Sequence, residues 1–236
     1  MPARANHLVW RVWIRGAMSL LVYGIVEADD IDISEVGLDG RPLRAVAEGP
    51  LVAIVSDREG PDPQPTRAAL NAYELIVRRL MESGAILPAQ FGSVLEDDEE
   101  VRGLLRRRCE DLMARLHRVR GAVEIGLRAS WRGGGDGLPE ARRRSGASYL
   151  RDRLELRQSA RRVASELDPL TALALSSRRA LVPRPDLPVL DVYLVDRGRV
   201  DEFVALVQQL GDLLDEVDLV CSGPWPPYSF AEQALV

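Results

Sequence analysis

Residues 223–230, GPWPPYSF, restrict the conformation of this chain more than any other segment. Three of these eight residues are prolines, whose rings fix the φ angle and remove the backbone N–H group. Three more, Trp225, Tyr228 and Phe230, bring large apolar surfaces that favour packing or recognition. Physical reasoning leaves both uses open: the segment fills a groove between domains, or it forms a docking surface for a partner.

The composition is that of a globular protein without a membrane anchor. Hydrophobic residues make up 46% of the 236 positions and charged residues 28%, so the chain can bury one large core or two small ones. No apolar run approaches the ~18 residues that span a bilayer. The apolar stretch 17–26 lacks a signal-peptide cleavage site and runs into acidic residues. We therefore expect a cytoplasmic protein that does not bind membranes.

The reactive side chains of this sequence do not form a catalytic or metal-binding pattern. All 31 basic residues are arginine, which excludes a Schiff-base lysine and a P-loop lysine. Cys109 and Cys221 lack a metal or redox spacing, and the two histidines, His7 and His117, have no nucleophile elbow to serve. The net charge of −5 argues against a nucleic-acid partner. We expect no enzyme, no catalytic residues, no cofactor and no metal site.

The N-terminal half predicts a sheet with helices. Strands are expected at 20–26, 44–48 and 51–56, and the continuous apolar run of the third indicates burial on both faces. A helix capped by Thr66 follows to residue 83, with Glu74 and Arg78 spaced to pair. A second helix at 97–118 and a strand at 123–130 complete this half. The order fits a ferredoxin-like antiparallel sheet with both helices on one face.

The C-terminal half predicts a smaller α+β unit. Helices are expected at 147–167, 168–177 and 200–216, and strands at 189–195 and 218–222. The glycine- and arginine-rich stretch 132–146 is typical of a linker. The fold class is therefore α+β, with an N-terminal ferredoxin-like domain at 18–131 and a C-terminal domain at 147–236. Residues 1–17 are interpreted as an extension before the first strand.

Several short motifs together carry a family resemblance. They occur in order along residues 18–230, and the terminal GPWPPYSF is the most specific of them. The residues are Tyr23, Gly24, Ile25 and Val26; the run 51–56; Ile86, Leu87, Pro88, Phe91 and Gly92; Gly146, Tyr149 and Leu150; and Gly223, Pro224, Trp225, Pro226, Pro227, Tyr228, Ser229 and Phe230. The set resembles the gas vesicle protein F/L family (GvpF and GvpL). The sequence departs from the family pattern at Tyr73, Gln90 and Ser93, where histidine, arginine and threonine are frequent.

The resemblance implies a non-enzymatic role in gas vesicles, the gas-filled protein shells of some prokaryotes. It implies that the chain binds the major gas vesicle shell protein and other gas vesicle proteins, as an assembly chaperone or as a shell component. The alternative is a regulatory module that binds a small molecule between its domains. Because a strand and an amphipathic helix lead directly into residues 223–230, we expect that segment to be a structural part at the domain junction, with the binding surface elsewhere.

Overall fold

Strand β1 (Ser19–Glu27) lies inside the first sheet and is buried along nearly its whole length. The computed structural model describes residues 18–29, 36–132, 146–181 and 189–231. β1 pairs antiparallel with β3 on one side and with two short strands on the other, and β2 lies beyond β3. The remaining strands of this sheet are β2 (Leu43–Glu48), β3 (Leu51–Arg58), β4 (Leu87–Pro88) and β5 (Val94–Leu95).

The helices of the N-terminal half cover both faces of this sheet. Leu21 and Tyr23 of β1 belong to the core cluster that contains the apolar face of helix α1 (Arg67–Ser83). The alternate residues Leu20 and Val22 belong to the cluster of helices α2 (Asp98–Arg107) and α3 (Cys109–Val119). The prediction that both helices lie on one face was wrong, because strands that are apolar on both sides must be covered on both sides. The single helix predicted at 97–118 is divided at Arg108.

Strand β6 (Ala122–Trp131) belongs to the second sheet. It pairs antiparallel with β8 (Val189–Asp196) on one side and with β9 (Val217–Trp225) on the other. The expectation that this strand completes the first sheet was therefore wrong. Its alternating apolar residues fit any sheet with one buried face, so the sequence pattern does not identify the partner strands.

The ferredoxin-like arrangement is complete in the C-terminal half. Its element order is β6, α4, β7, β8, α5 and β9, and its strand order is β7-β8-β6-β9. This is the β-α-β-β-α-β pattern, with all neighbours antiparallel. The first sheet repeats the strand order as β2-β3-β1-β4, and the described residues between β1 and β2 hold a 3-10 turn and the isolated bridge Val36–Pro42 in place of an α-helix. The α+β class with two antiparallel sheets is confirmed. Within this second unit, α4 spans Gly146–Glu166, β7 spans Ser176–Leu181 and α5 spans Val200–Leu213.

The short helix predicted at 168–177 does not form. Asp168–Ala172 is a 3-10 turn, and the chain then enters β7, which pairs with β8. Proline near the start of this segment suits a helix, but pairing with the buried β8 determines the conformation of the residues that follow. Strand β9 also continues beyond its predicted end, through Gly223 and Pro224 to Trp225.

The two halves share buried contacts. One continuous core cluster joins β1 and α1 to β6, β8 and α5, and Arg197 donates from Nη2 to the carbonyl oxygen of Met81 at 2.6 Å. The predicted extension 1–17 and most of the predicted linker 132–146 lie outside the described residues, so the domain boundary stays a prediction. Among the described helices, none has the length and apolarity needed to cross a membrane.

We predict that Gly24→Ala destabilises the fold by about 1–3 kcal/mol, as overpacking a filled core does. An alanine Cβ there would lie 2.7 Å from Cδ1 of Ile86 and 2.8 Å from the carbonyl oxygen of Leu87. Urea denaturation measures the change. The control is Gly211→Ala in α5, where the new Cβ would lie 4.0 Å from the nearest atoms of Leu219 and helix propensity favours alanine. Equal stability of Gly24→Ala and the wild type would contradict the prediction.

Candidate functional site

The segment 223–230 begins inside strand β9, where the pairing of this strand with β6 is irregular. The Gly223–Pro224 peptide bond is cis, and Gly223 has a φ of +123°. A side chain on Gly223 would place its Cβ 2.8 Å from the carbonyl oxygen of Glu124. Glycine is therefore required here both by the backbone angle and by the close approach of β6.

The prolines that follow shape a compact turn. Pro226 and Pro227 are buried. The N–H of Tyr228 donates to the carbonyl of Pro226 at 2.7 Å, and those of Phe230 and Ala231 donate to the carbonyl of Pro227 at 3.1 and 2.9 Å. Since proline has a carbonyl but no N–H, the turn uses both prolines only as acceptors.

A buried carboxylate holds this turn against the second sheet. Glu124 of β6 is only 9% exposed. Its two carboxylate oxygens accept the backbone N–H of Ser229 at 2.7 Å and the Ser229 hydroxyl at 2.9 Å. Glu124 alternates with the apolar residues Val123 and Ile125 along β6, yet it is buried, because the segment 223–230 folds over it. Charge-assisted hydrogen bonds of this kind are among the stronger ones in proteins.

Two arginines from different parts of the fold lie over aromatic rings of the segment. The guanidinium of Arg78, on α1, is 4.8 Å from the ring centroid of Trp225. Arg178, on β7, is 5.5 Å from the ring of Phe230. Both distances allow a cation–π attraction. The segment therefore connects a helix of the N-terminal half with strands of the second sheet.

The remaining aromatic surface is largely used for packing. Phe230 is 6% exposed and belongs to the core cluster that contains Leu194. Tyr228 packs against the other core cluster. Burial, and then the charges of Glu74 and Glu124, raise the pKa of the Tyr228 hydroxyl, so this group stays neutral at physiological pH. Packing is therefore the role that the contacts support for this segment.

Tyr23 and Phe91, two further residues of the family resemblance, form an aromatic cluster with Tyr73 at the middle of β1. The ring of Tyr23 stacks on that of Tyr73 with centroids 5.2 Å apart, and Phe91 meets Tyr73 edge-on at 5.4 Å. The Tyr23 hydroxyl accepts the N–H of Leu38 at 2.8 Å and forms a hydrogen bond of 3.1 Å with the Ser56 hydroxyl, in which either group can donate. These contacts are all internal, so the cluster stabilises the sheet and α1.

Tyr73, one of the departures from the resembled family pattern, is buried on α1. Its hydroxyl lies 2.9 Å from the carbonyl oxygen of Val22 and 3.0 Å from that of Ala89, and it can donate its proton to either. Burial raises the pKa of this hydroxyl well above its ordinary value. The phenol therefore acts as a buried donor to backbone carbonyls, which a neutral imidazole N–H could also do.

The leucine-proline and phenylalanine-glycine motifs lie in the connection between α1 and α2. Leu87 and Pro88 pair with Ile25 and Gly24 of β1. Gly92 follows with a φ of +85°, where glycine is favoured. Of the remaining sequence-selected residues, Tyr149 lies within α4, and its side chain is outside the described part of the structure.

The second sheet contains a buried ion pair, between Asp191 and Arg179, that the sequence analysis does not predict. Asp191 of β8 is 1% exposed and accepts from Nε of Arg179 at 2.9 Å and from the Tyr193 hydroxyl at 2.7 Å. Arg179 also donates to Asp168 at 2.6 Å. Burial opposes its charge, but the bonds to Asp168 and Asp191 raise the pKa of Arg179. The sequence does contain a signal for this pair: Asp191 lies inside the apolar strand VLDVYLVD, where a buried carboxylate needs a partner.

Comparison with known proteins now gives the family. Residues 19–232 match the family model of the gas vesicle synthesis proteins GvpL/GvpF. The chain belongs to the GvpL/GvpF family. Gas vesicle protein F of Streptomyces sp. (strain CB03234) is 30% identical, covering 91% of this chain and all of the relative. Gas vesicle protein L of the same strain is 32% identical, covering 83% of this chain and 85% of the relative.

Solved structures show the same fold. The crystal structure of GvpF from Anabaena sp. PCC7120 superposes with a TM-score of 0.73 at 19% identity, over 91% of this chain and 98% of that one. GvpF from Microcystis aeruginosa gives 0.71 at 18% identity, over 91% and 99%. These structures share the fold of this chain, and within this chain the described motif residues serve mainly as internal contacts.

We predict that Glu124→Gln lowers the free energy of unfolding of this GvpL/GvpF chain by about 1–3 kcal/mol. Glutamine keeps one acceptor oxygen but turns an NH₂ group toward a Ser229 donor, and the charge is lost. Thermal unfolding measures the effect. Glu202→Gln is the control, because Glu202 is exposed and, within the part of the chain that the structure describes, forms its ion pair with Arg199 one turn away, and it should leave the midpoint unchanged. Indistinguishable midpoints for the two variants would refute the role given to Glu124.

Proposed function

We propose that this chain assists gas vesicle assembly or shell organisation by binding the major gas vesicle shell protein. As a member of the GvpL/GvpF family it has a gas vesicle accessory role. The family match over residues 19–232 is the observation that carries the more specific proposal. Other gas vesicle proteins are further proposed partners, and the proposed location is the cytoplasm, at the gas vesicle.

The architecture supports a binding role with no chemical step. The described family-motif residues are used to stack, cap and cover the fold, so the proposed function is non-enzymatic. The strand order leaves β2 and β7 at sheet edges, and β9 at the opposite edge of the second sheet. Exposed edges and apolar side chains are the surfaces by which a soluble protein holds an apolar partner. Exposed examples are Leu75, Leu175 and Leu213, each at least half exposed.

The alternative of a small-molecule regulatory module receives less support from the junction of the two halves. The cavity there is lined by Met81, Ile86, Ala122, Arg197 and Pro227 and has a volume of about 10 Å³. A volume of this size holds about one water molecule. A regulatory ligand of ordinary size would need several hundred Å³.

The test is co-purification after co-expression with the major shell protein of the same gene cluster. We expect affinity capture of this chain to recover the shell protein in a soluble complex, and we expect deletion of its gene to abolish vesicles. A small apolar protein unrelated to gas vesicles is the control for non-specific capture. Absence of both shell-protein binding and a vesicle defect would overturn the proposal.

The same material separates the two forms of the proposed role. If the chain acts only during assembly, it is present in the soluble complex and absent from washed vesicles. If it is a shell component, washed vesicles retain it in a fixed ratio to the shell protein. Quantitative mass spectrometry of both fractions makes the distinction.

A further inference from the structure

A groove runs between helix α5 and the edge strand β9, away from the segment 223–230. Its volume is about 360 Å³, which is in the range of peptide- or ligand-sized clefts. The side chains of its floor are apolar: Val204, Val207, Leu219 and Cys221. Burial raises the pKa of the Cys221 thiol, so this residue adds apolar surface to the floor instead of a reactive thiolate.

Strand β9 offers an open hydrogen-bonding edge beside this groove. It is the last strand in the order β7-β8-β6-β9, and within the described ranges it pairs only with β6. Val220 on this strand is 46% exposed, and Leu213 at the end of α5 is 77% exposed. An unpaired strand edge next to an apolar cleft accepts an added strand, whose alternate side chains enter the cleft.

The rim of the groove has an excess of negative charge. Asp212 and Asp218 line it, and the side chain of Asp215 is fully exposed beside it. The one arginine of the lining, Arg132, is already bound to Asp218 at 2.9 Å and donates to the carbonyls of Gly211 and Asp215. The rim therefore attracts a cationic partner segment and disfavours an acidic one.

We infer that the α5–β9 groove binds an extended polypeptide segment of a gas vesicle partner that alternates apolar residues with arginine or lysine. The segment adds to the free edge of β9, its apolar side chains contact the half-buried Val204 and Leu219, and its cations lie near Asp212. This inference rests on the proposed function, because it gives the binding surface for that partner.

A larger residue in place of Gly211 can fill the groove with little change to the fold. Gly211 lies in α5, and a Cβ at this position would be 4.0 Å from the nearest atoms of Leu219. Gly211→Ala therefore keeps most of the groove, whereas Gly211→Leu fills it with a residue that is equally at home in a helix. Asp212→Arg replaces one negative charge of the rim, at an exposed position, with a positive charge. Thermal unfolding first establishes that all three variants are folded.

The first measurement uses two synthetic ten-residue peptides, valine alternating with arginine and valine alternating with glutamate. By fluorescence anisotropy, we expect the arginine peptide to bind at least tenfold more tightly than the glutamate peptide. Gly211→Leu and Asp212→Arg should each weaken the arginine peptide at least tenfold, and Gly211→Ala should bind as the wild type does. Equal binding of both peptides, or full binding by Gly211→Leu, would overturn the inference.

The second measurement captures the co-expressed shell protein with the same variants. Loss of capture by Gly211→Leu with retention by Gly211→Ala supports the groove as the binding surface. Equal capture by all variants overturns the groove and leaves the proposed function standing. If the wild type itself captures no shell protein and deletion of its gene leaves vesicles intact, the proposed function fails, whatever the peptides do. Dimers of this chain that Gly211→Leu abolishes while shell-protein capture is unchanged would assign the groove to self-association and overturn the inference.

A photo-crosslinking residue at Gln208, which lines the groove, identifies the bound segment. We expect crosslinks to a shell-protein peptide in which apolar residues alternate with arginine or lysine. The matched control position is Leu154 on α4, which is 55% exposed and on another helix. Crosslinks only to acidic peptides, or equal yields from both positions, would contradict the inference.

Discussion

The carboxylate of Glu124 accepts both donors of Ser229, and the position of the chain's end depends on this contact. Burying a carboxylate in the middle of a strand is unfavourable unless its oxygens are hydrogen-bonded. The turn at Pro226 and Pro227 supplies these bonds and brings Phe230 to the core. The same segment places the ring of Trp225 beneath the guanidinium of Arg78 on α1. The end of the chain thereby joins elements that are far apart in sequence.

This arrangement has a consequence for function. The aromatic side chains of the segment 223–230 pack against the fold, with Phe230 buried and Trp225 and Tyr228 half-buried, so this segment is a poor candidate for the surface that meets a partner. The groove at α5 and β9 has the opposite character. Its apolar floor and acidic rim are accessible, and the strand beside it has an open edge. The segment 223–230 and the proposed binding surface thus lie on different parts of this protein.

The sequence predicts local features of this fold well. Thr66 caps α1 by accepting the N–H of Ala69, and Glu74 pairs with Arg78 at 2.9 Å, as their spacing indicates. Long-range features are different. The partner strands of β6, the burial of Glu124 and the formation of β7 in place of a helix all depend on contacts between distant residues. Alternation along a strand reports that one face is buried, but not which segment covers it. The Asp191–Arg179 pair was missed for the same reason.

Amide hydrogen exchange at the end of the chain tests the central claim most directly. The N–H groups of Ser229, Phe230 and Ala231 are hydrogen-bonded within the fold. If the segment is an integral part of the structure, these amides exchange only when the protein unfolds globally, with protection equal to that of the central strand β6. Exchange many times faster than β6, with the second sheet still protected, would show that the segment detaches from a folded protein and would contradict the account.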